Sequence, residues 1–213
     1  RQIDNRRREL LTSYQGELVR LDVPDDAPAA MHEEWILIMV PTGWVRGDTV
    51  YQPGTVLAAK LDEFLAGNAD LHTVVEPDAS TFVQMAAWTK DYLLVLSMRD
   101  VASRLDIVTP GSWEAASIPG VPANTDTGIA AMDTFSNEIF LVSDGFDTPP
   151  RMLHGEAGGS VREIKRSPDR FEADGLVVKQ HFAVSADGTR VPYFVVSHRD
   201  ATGPCPTLLG GYG

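Results

Sequence analysis

Short apolar runs of strand length, cut by turn signals, recur along this chain in groups about 40 residues long. That recurrence constrains the fold more than any other feature. The first group opens with the unbroken run Glu34 to Val40 and continues through Thr55 to Leu61. His72 to Glu76 is its closing strand, and Pro77 ends it. Positions 43–54 between them are polar and read as a loop, punctuated by Gly43, Gly47 and Pro53-Gly54. One helical turn is expected from Asp62 to Ala66, with Asp62 as N-cap and Gly67 as stop. The second group is Val83 to Trp88, Tyr92 to Met98, Arg104 to Thr109 and Trp113 to Ile118. The third is Gly128 to Met132, Glu138 to Ser143, Arg151 to Gly155 and Val161 to Lys165. Ahead of them, Leu10 to Ser13 and Glu17 to Val23 flank Gln15-Gly16 and look like half a unit, followed by an acidic linker, Pro24 to Pro28.

Repeated four-stranded units of this length are the signature of propeller blades, because one such sheet must bury its faces against neighbours. A β-sandwich with irregular loops is the competing architecture. Neither a Trp-Asp dipeptide nor a kelch-type Gly-Gly recurs at fixed offsets, so the repeat is degenerate. Propellers hold about four to eight blades, and half a blade plus three does not close a ring. The expectation is an all-β partial propeller of about three and a half blades, covering residues 1–168. Pro168 and the charged stretch Asp169 to Asp174 then break the rhythm, and residues 169–213 read as the start of another domain.

That last segment has its own pattern. Val177, Lys179, His181 and Ala183 alternate with Val178, Gln180, Phe182 and Val184, and Asp187-Gly188 is a strong hairpin turn signal. Val191 to Val196 is a dense apolar return strand. After Pro204 and Pro206 comes Thr207-Leu208-Leu209-Gly210-Gly211-Tyr212-Gly213, expected as a short buried strand entering a Gly-rich turn. Such a strand ordinarily leads into a further element, and the chain opens on Arg1, so the expectation is a piece of a larger protein.

The stretch "SADGTRVPYFVVSHRD…GPCPTLLGGYG" resembles the junction between propeller and α/β-hydrolase domain in the prolyl oligopeptidase family of serine peptidases. Members share a "DGT-x-(I/V)-P" hairpin, an apolar strand and a proline-containing loop before "YGYGG"; this chain has Gly210 where the family usually has Tyr. The resemblance extends more loosely upstream to about Arg7. It implies a peptidase that cleaves short peptides after proline through a Ser-His-Asp triad, with the propeller capping the active site. The family's triad lies beyond the "YGYGG" stretch, so no catalytic residue is carried over to this chain.

The residues agree with that. A hydrolase of this fold needs a G-x-S-x-G elbow, with Asp and then His downstream. Gly158-Gly159-Ser160-Val161-Arg162 fails at its last position and reads as a hairpin turn. His32, His72, His154, His181 and His198 are isolated on or beside strands, and His32-Glu33 lacks the second His of a zinc helix. Neither a metal site, a phosphate loop nor any other cofactor site is expected. Trp35, Trp44, Trp88 and Trp113 are expected to pack between blades; Trp44 or Phe146 facing a central tunnel is the sharper alternative. The 43–54 and 144–150 loops are long enough to meet a partner domain.

The net charge of −12 argues against nucleic acid and anionic membranes. The one basic cluster, Arg6-Arg7-Arg8, reads as a solvated strand start. No apolar run approaches the ~20 residues of a membrane helix. The single Cys205 excludes an internal disulfide, fits a reducing, cytoplasmic compartment and is expected as a small buried hydrophobe. Two functions follow. The chain is the cap part of a serine endopeptidase, inactive alone and acting on short peptides as part of the whole, or it is a non-catalytic binding or scaffold module. Open blade edges predict self-association in either case.

Overall fold

The continuous apolar runs become the central strands of stacked sheets, where both faces are covered. The computed structural model describes residues 9–68 and 70–211. Arg6-Arg7-Arg8 and Tyr212-Gly213 lie outside them. In chain order, β1 (Leu11–Tyr14) and β2 (Glu17–Arg20) pair as an antiparallel hairpin through Gln15 and Gly16, both at positive φ. β3 (Ala29–His32) and β4 (Trp35–Val40) begin the first four-stranded sheet. β5 (Trp44–Arg46) and β6 (Thr49–Tyr51) form a separate hairpin. β7 (Thr55–Lys60) then pairs with β4, helix α1 (Leu61–Leu65) follows, and β8 (His72–Val75) completes the order β3-β4-β7-β8.

The second sheet is a meander of β9 (Thr81–Trp88), β10 (Leu93–Arg99), β11 (Ala102–Val108) and β12 (Ala115–Ser117). The third is β13 (Asp126–Met132), β14 (Glu138–Asp144), β15 (Arg151–Glu156) and β16 (Val161–Arg166). β17 (Leu176–Val184) and β18 (Arg190–His198) make a last two-stranded sheet. The architecture is an all-β partial propeller of one half blade and three full ones, with a C-terminal hairpin.

Three apolar clusters fill the spaces between sheets. Leu21 and Ala27 pack with Ile36, Ile38 and Leu57, so the N-terminal segment covers one face of the first blade. Leu37, Val56 and Ala58 on its other face meet Val83, Leu93 and Val95 of the second. Leu94, Leu96 and Ile107 on the far face of the second blade meet Ile139, Leu141 and Leu153 of the third. β4 and β10 therefore bury both alternating sets of side chains, which is why their sequences lack a polar period. β14 is covered on one side only. Its Ile139, Leu141 and Ser143 are buried, while Phe140 and Val142 on the opposite face are partly or largely exposed.

The tryptophans serve this packing, as expected. Trp35 meets Trp113 edge-on at 5.0 Å across the first and second blades, and His72 stacks on Trp113 at 5.3 Å. Trp88 is buried in the same interface under His32. Trp44 sits in the β5–β6 hairpin against Tyr51, with the Arg46 guanidinium 5.5 Å over its ring, and packs on the cluster between the N-terminal segment and the first blade. At the blade ends a polar staple joins the second and third sheets. Asn137 Oδ1 accepts from the Asp91 backbone N–H at 3.0 Å, and its amide donates to the Asp91 carboxylate at 2.6 Å.

Four local expectations are corrected, and one strand appears that no expectation covered. The 43–54 segment is a hairpin, because Val45-Val50 and Trp44-Tyr51 pair across it. Ala29–His32, which the sequence reading assigned to no element, is a strand; its residues have modest β propensity and it is held by its ladder to β4. Asp62 is not the N-cap. The helix starts one residue earlier from Lys60, and the Asp62 carboxylate accepts the Tyr14 hydroxyl at 2.9 Å. Thr207-Leu208-Leu209 is not a buried strand: no strand lies beside it among the described residues, and both leucines are more than 90% exposed. Cys205, in the same extended segment, is exposed. The helix end is as expected: Gly67 takes positive φ, with Gly67 N–H bonded to the Phe64 carbonyl and Asn68 N–H to the Glu63 carbonyl, a Schellman closure.

Candidate functional site

The β4–β7, β10–β11 and β14–β15 connections all emerge at one end of the three blades, as the antiparallel registers require. The C-terminal hairpin leaves from the same end, after Arg166. That end carries a recess of about 1040 Å³.

The hairpin is shaped by its turn. Val184 pairs with Arg190, Ser185 N–H bonds to the Thr189 carbonyl, and Gly188 takes φ +87°. The Asp187 carboxylate accepts from the Ser185 hydroxyl and from the Thr189 N–H at 3.0 Å. These donors, the Ser185 hydroxyl first, hold the Asp187 carboxyl down at about 2. With period two, Gln180 and Phe194 lie opposite each other on one hairpin face. That face looks at the blades. Gln180 donates its side-chain amide to the Asp100 carbonyl, and the Phe194 ring sits 5.3 Å from Phe146. On the other face, His181 stacks on Tyr193 at 5.5 Å beside the exposed Val191 and Val195.

Asp100 and Val101 form the two-residue turn between β10 and β11, at φ +49° and +62°. Both central residues at positive φ make it a type I′ turn, which favours Asn-Gly. A β-branched residue there is strained. Beside it, the buried hydroxyls of Thr125, Thr127 and Ser143 form a closed set at 2.9–3.2 Å that ties the start of β13 to the end of β14.

Between the turn, these strand ends and the hairpin lies a cavity of about 1040 Å³. Met98, Val101, Phe146 and Phe194 supply apolar surface, and Asp126 and Asp144 supply carboxylates. A smaller cavity of about 270 Å³ adjoins it along 144–150 and 167–173. Of the two aromatic residues considered for a recess, Phe146 lines one; Trp44 is not among the residues lining this cavity. The 144–150 loop meets the hairpin through Phe146, as expected of a loop that contacts a neighbouring element.

Ser160 lies in the β15–β16 turn behind Gly158 at φ +83°, at the opposite blade end. The histidines have structural partners: His32 Nε2 donates to the Lys90 carbonyl at 2.7 Å, and His154 bonds Glu138 at 2.8 Å beneath Phe140. His198 closes the hairpin ladder opposite Leu176. Among the described residues, no three His, Cys, Asp or Glu side chains gather as metal ligands, and no helix is long and apolar enough to cross a membrane.

No family model matches the chain. An uncharacterized peptidase of Sinorhizobium fredii is 31% identical over 183 residues, 80% of this chain and 25% of its own length. An uncharacterized peptidase of Rickettsia prowazekii is 22% identical over 92% of this chain and 28% of its own. A prolyl endopeptidase of Elizabethkingia miricola is 26% identical over 60% of this chain and 17% of its own. The chain thus spans about a quarter of the length of the curated relatives it matches. Among solved structures, a post-proline cleaving enzyme from Rickettsia typhi superposes with a TM-score of 0.71 at 18% identity, over 91% of this chain and 29% of that one. The prolyl oligopeptidase B of Galerina marginata superposes at 0.64 and 12% identity, over 93% and 29%. At such identities the structures speak for the fold.

Proposed function

This chain belongs to the prolyl oligopeptidase family, and from that premise we propose that it is the cap portion of a serine endopeptidase acting on short proline-containing peptides. The observation that carries the reading is the coincidence of junction and fold. The "SADGTRVP" stretch forms the hairpin that stands on the blade end, and nine-tenths of the chain superposes on a post-proline cleaving enzyme.

The proposed division of labour is as follows. Residues 1–168 form the propeller part, and 169–213 begin the hydrolase domain. The blades present the large recess toward the hairpin, so a peptide entering there is enclosed between cap and catalytic domain. Enclosure excludes folded substrates by size and removes water from the acyl-enzyme. The triad belongs to the catalytic domain and not to this chain. The apolar outer face of the hairpin, with Val191, Tyr193 and Val195, supplies the surface on which that domain packs. A cytoplasmic location rests on the lone free Cys205.

Reading the source message past the codon for Gly213 tests this. A continuing frame with a G-x-S-x-G elbow, then Asp, then His, supports the proposal. A stop codon there overturns it and leaves the binding-module reading. Incubating the pure chain with a fluorogenic proline-containing peptide is the second check: no turnover is expected, and measurable hydrolysis refutes the assignment of the triad elsewhere.

A further inference from the structure

The strained turn at the blade end is gripped from outside its own two residues. Asp100 and Val101 take φ +49° and +62°, whereas residues of these types suit the type I form, with both φ negative. A strained backbone persists where its surroundings over-determine it. The Val101 side chain is 51% exposed, so its own packing does not hold the turn. The Asp100 backbone is held at both ends. Its N–H donates to the Ser80 carbonyl at 2.9 Å, and its carbonyl accepts the side-chain amide of Gln180, 80 positions away in the C-terminal hairpin. That carbonyl belongs to the central peptide of the turn. Types I and I′ are mirror images, so they point it to opposite sides. Gln180 therefore favours one form over the other.

The hairpin, for its part, is lightly seated. β17 and β18 form a sheet of their own, and none of their residues joins the three apolar clusters of the blades. A cavity of about 1040 Å³ lies beneath them. Their seat is the Gln180 bond to Asp100 and the Phe194 ring 5.3 Å from Phe146. A hydrogen bond and an aromatic pair each shift an equilibrium about fivefold. Elements held by so few contacts open locally without the core unfolding.

We propose that hairpin docking and the strained form of the β10–β11 turn are coupled. With the hairpin seated, Gln180 holds the Asp100 carbonyl toward it and the turn stays in type I′; with the hairpin lifted, the turn relaxes toward type I. The second blade thus registers the position of an element outside it. Such coupling is reciprocal. Docking stabilises the strained turn, and the strain loosens docking by the same factor. The coupling goes beyond the cap reading and does not depend on it, since every contact it uses lies within this chain.

Nuclear magnetic resonance on the isotope-labelled full chain reads both partners. The intraresidue HN–Hα NOE of Val101 is strong only at positive φ and reports the turn. Relaxation dispersion of the Phe194 amide reports the undocked fraction of the hairpin. Gln180→Ala should raise that fraction about fivefold and weaken the Val101 NOE. Phe146→Ala leaves the turn untouched and should still do both. Val101→Gly fits type I′, for which Asp-Gly is a favoured pair, and should lower the undocked fraction about fivefold. Lys179→Ala, on the outer face of the hairpin, should move neither. A Val101 NOE that stays strong in both hairpin variants means that the turn is fixed within its own blade and overturns the inference. An undocked fraction unchanged by Val101→Gly, or no exchange detectable in Gln180→Ala, overturns it equally.

Discussion

At the residue scale, the blade end combines one strained position and one relaxed one. Val101 at φ +62° holds a conformation that costs a β-branched residue about 1–2 kcal/mol. Val101→Gly should therefore raise stability by about 1 kcal/mol despite the added freedom of the unfolded chain. Chemical denaturation reads this directly, and a destabilised variant would mean that Val101 contributes more by its contacts in the cavity. Asp187 is relaxed, since the Ser185 hydroxyl and Thr189 N–H satisfy its carboxylate. Its folded pKa of about 2 lies below the ordinary 3.8, so these bonds are fully present above pH 4 and are lost as the pH falls through 2. The Thr189 amide resonance should titrate with a midpoint near 2, and Asp187→Ala should remove that titration. A midpoint near 4 would contradict the turn geometry. The Asp187-Gly188 turn was legible because its residue types match its backbone. The Asp100-Val101 turn was not, because its residues are poor choices for positive φ and only contacts beyond them impose it.

At the scale of elements, two strands that look alike in sequence differ by how many faces they bury. β4 is closed in on both sides, whereas β14 is covered on one. Leu141 on the covered face is fully buried, and Leu141→Ala should cost about 2–5 kcal/mol. Phe140, on the other face against His154 at 4.5 Å, is only half-buried, and Phe140→Ala should cost roughly 1–2 kcal/mol. Urea denaturation of the pair measures the difference; equal losses would mean that the outer face is also covered. The outer set of β14, Glu138, Phe140, Val142 and Asp144, is half polar, and that is the only trace of the asymmetry in its sequence. The β5–β6 hairpin and β3 escaped notice for different reasons. Ala29 to His32 carries no strand pattern and is held by its ladder to β4, whereas Trp44-Val45 and Thr49-Val50-Tyr51 do carry one around Gly47-Asp48 and were passed over for the polar residues and glycines beside them.

At the scale of the whole molecule, the edges of the sheets are managed locally. β8, β9, β13 and β16 each carry a register shift, and β3 and β12 have four and three residues. Bulged or short edges resist pairing with other chains. Self-association, which we retain as a proposal, is therefore assigned to the outer face of β14 and the apolar hairpin face rather than to the edges. Light scattering should show concentration-dependent association that falls when Val191 and Val195 are replaced by Thr; association unchanged by these replacements would return the edges to consideration. The amino-acid sequence by itself determined the blade rhythm, the doubly buried strands and the Asp-Gly hairpin, because each is a local pattern of hydrophobic period or backbone preference. Only the tertiary structure decided that Asp126 and Asp144 stand opposite each other, that Phe146 meets Phe194 and that Gln180 reaches Asp100. Those contacts join residues that are 18, 48 and 80 positions apart, and no local preference encodes a distance that the stacking of whole sheets must set.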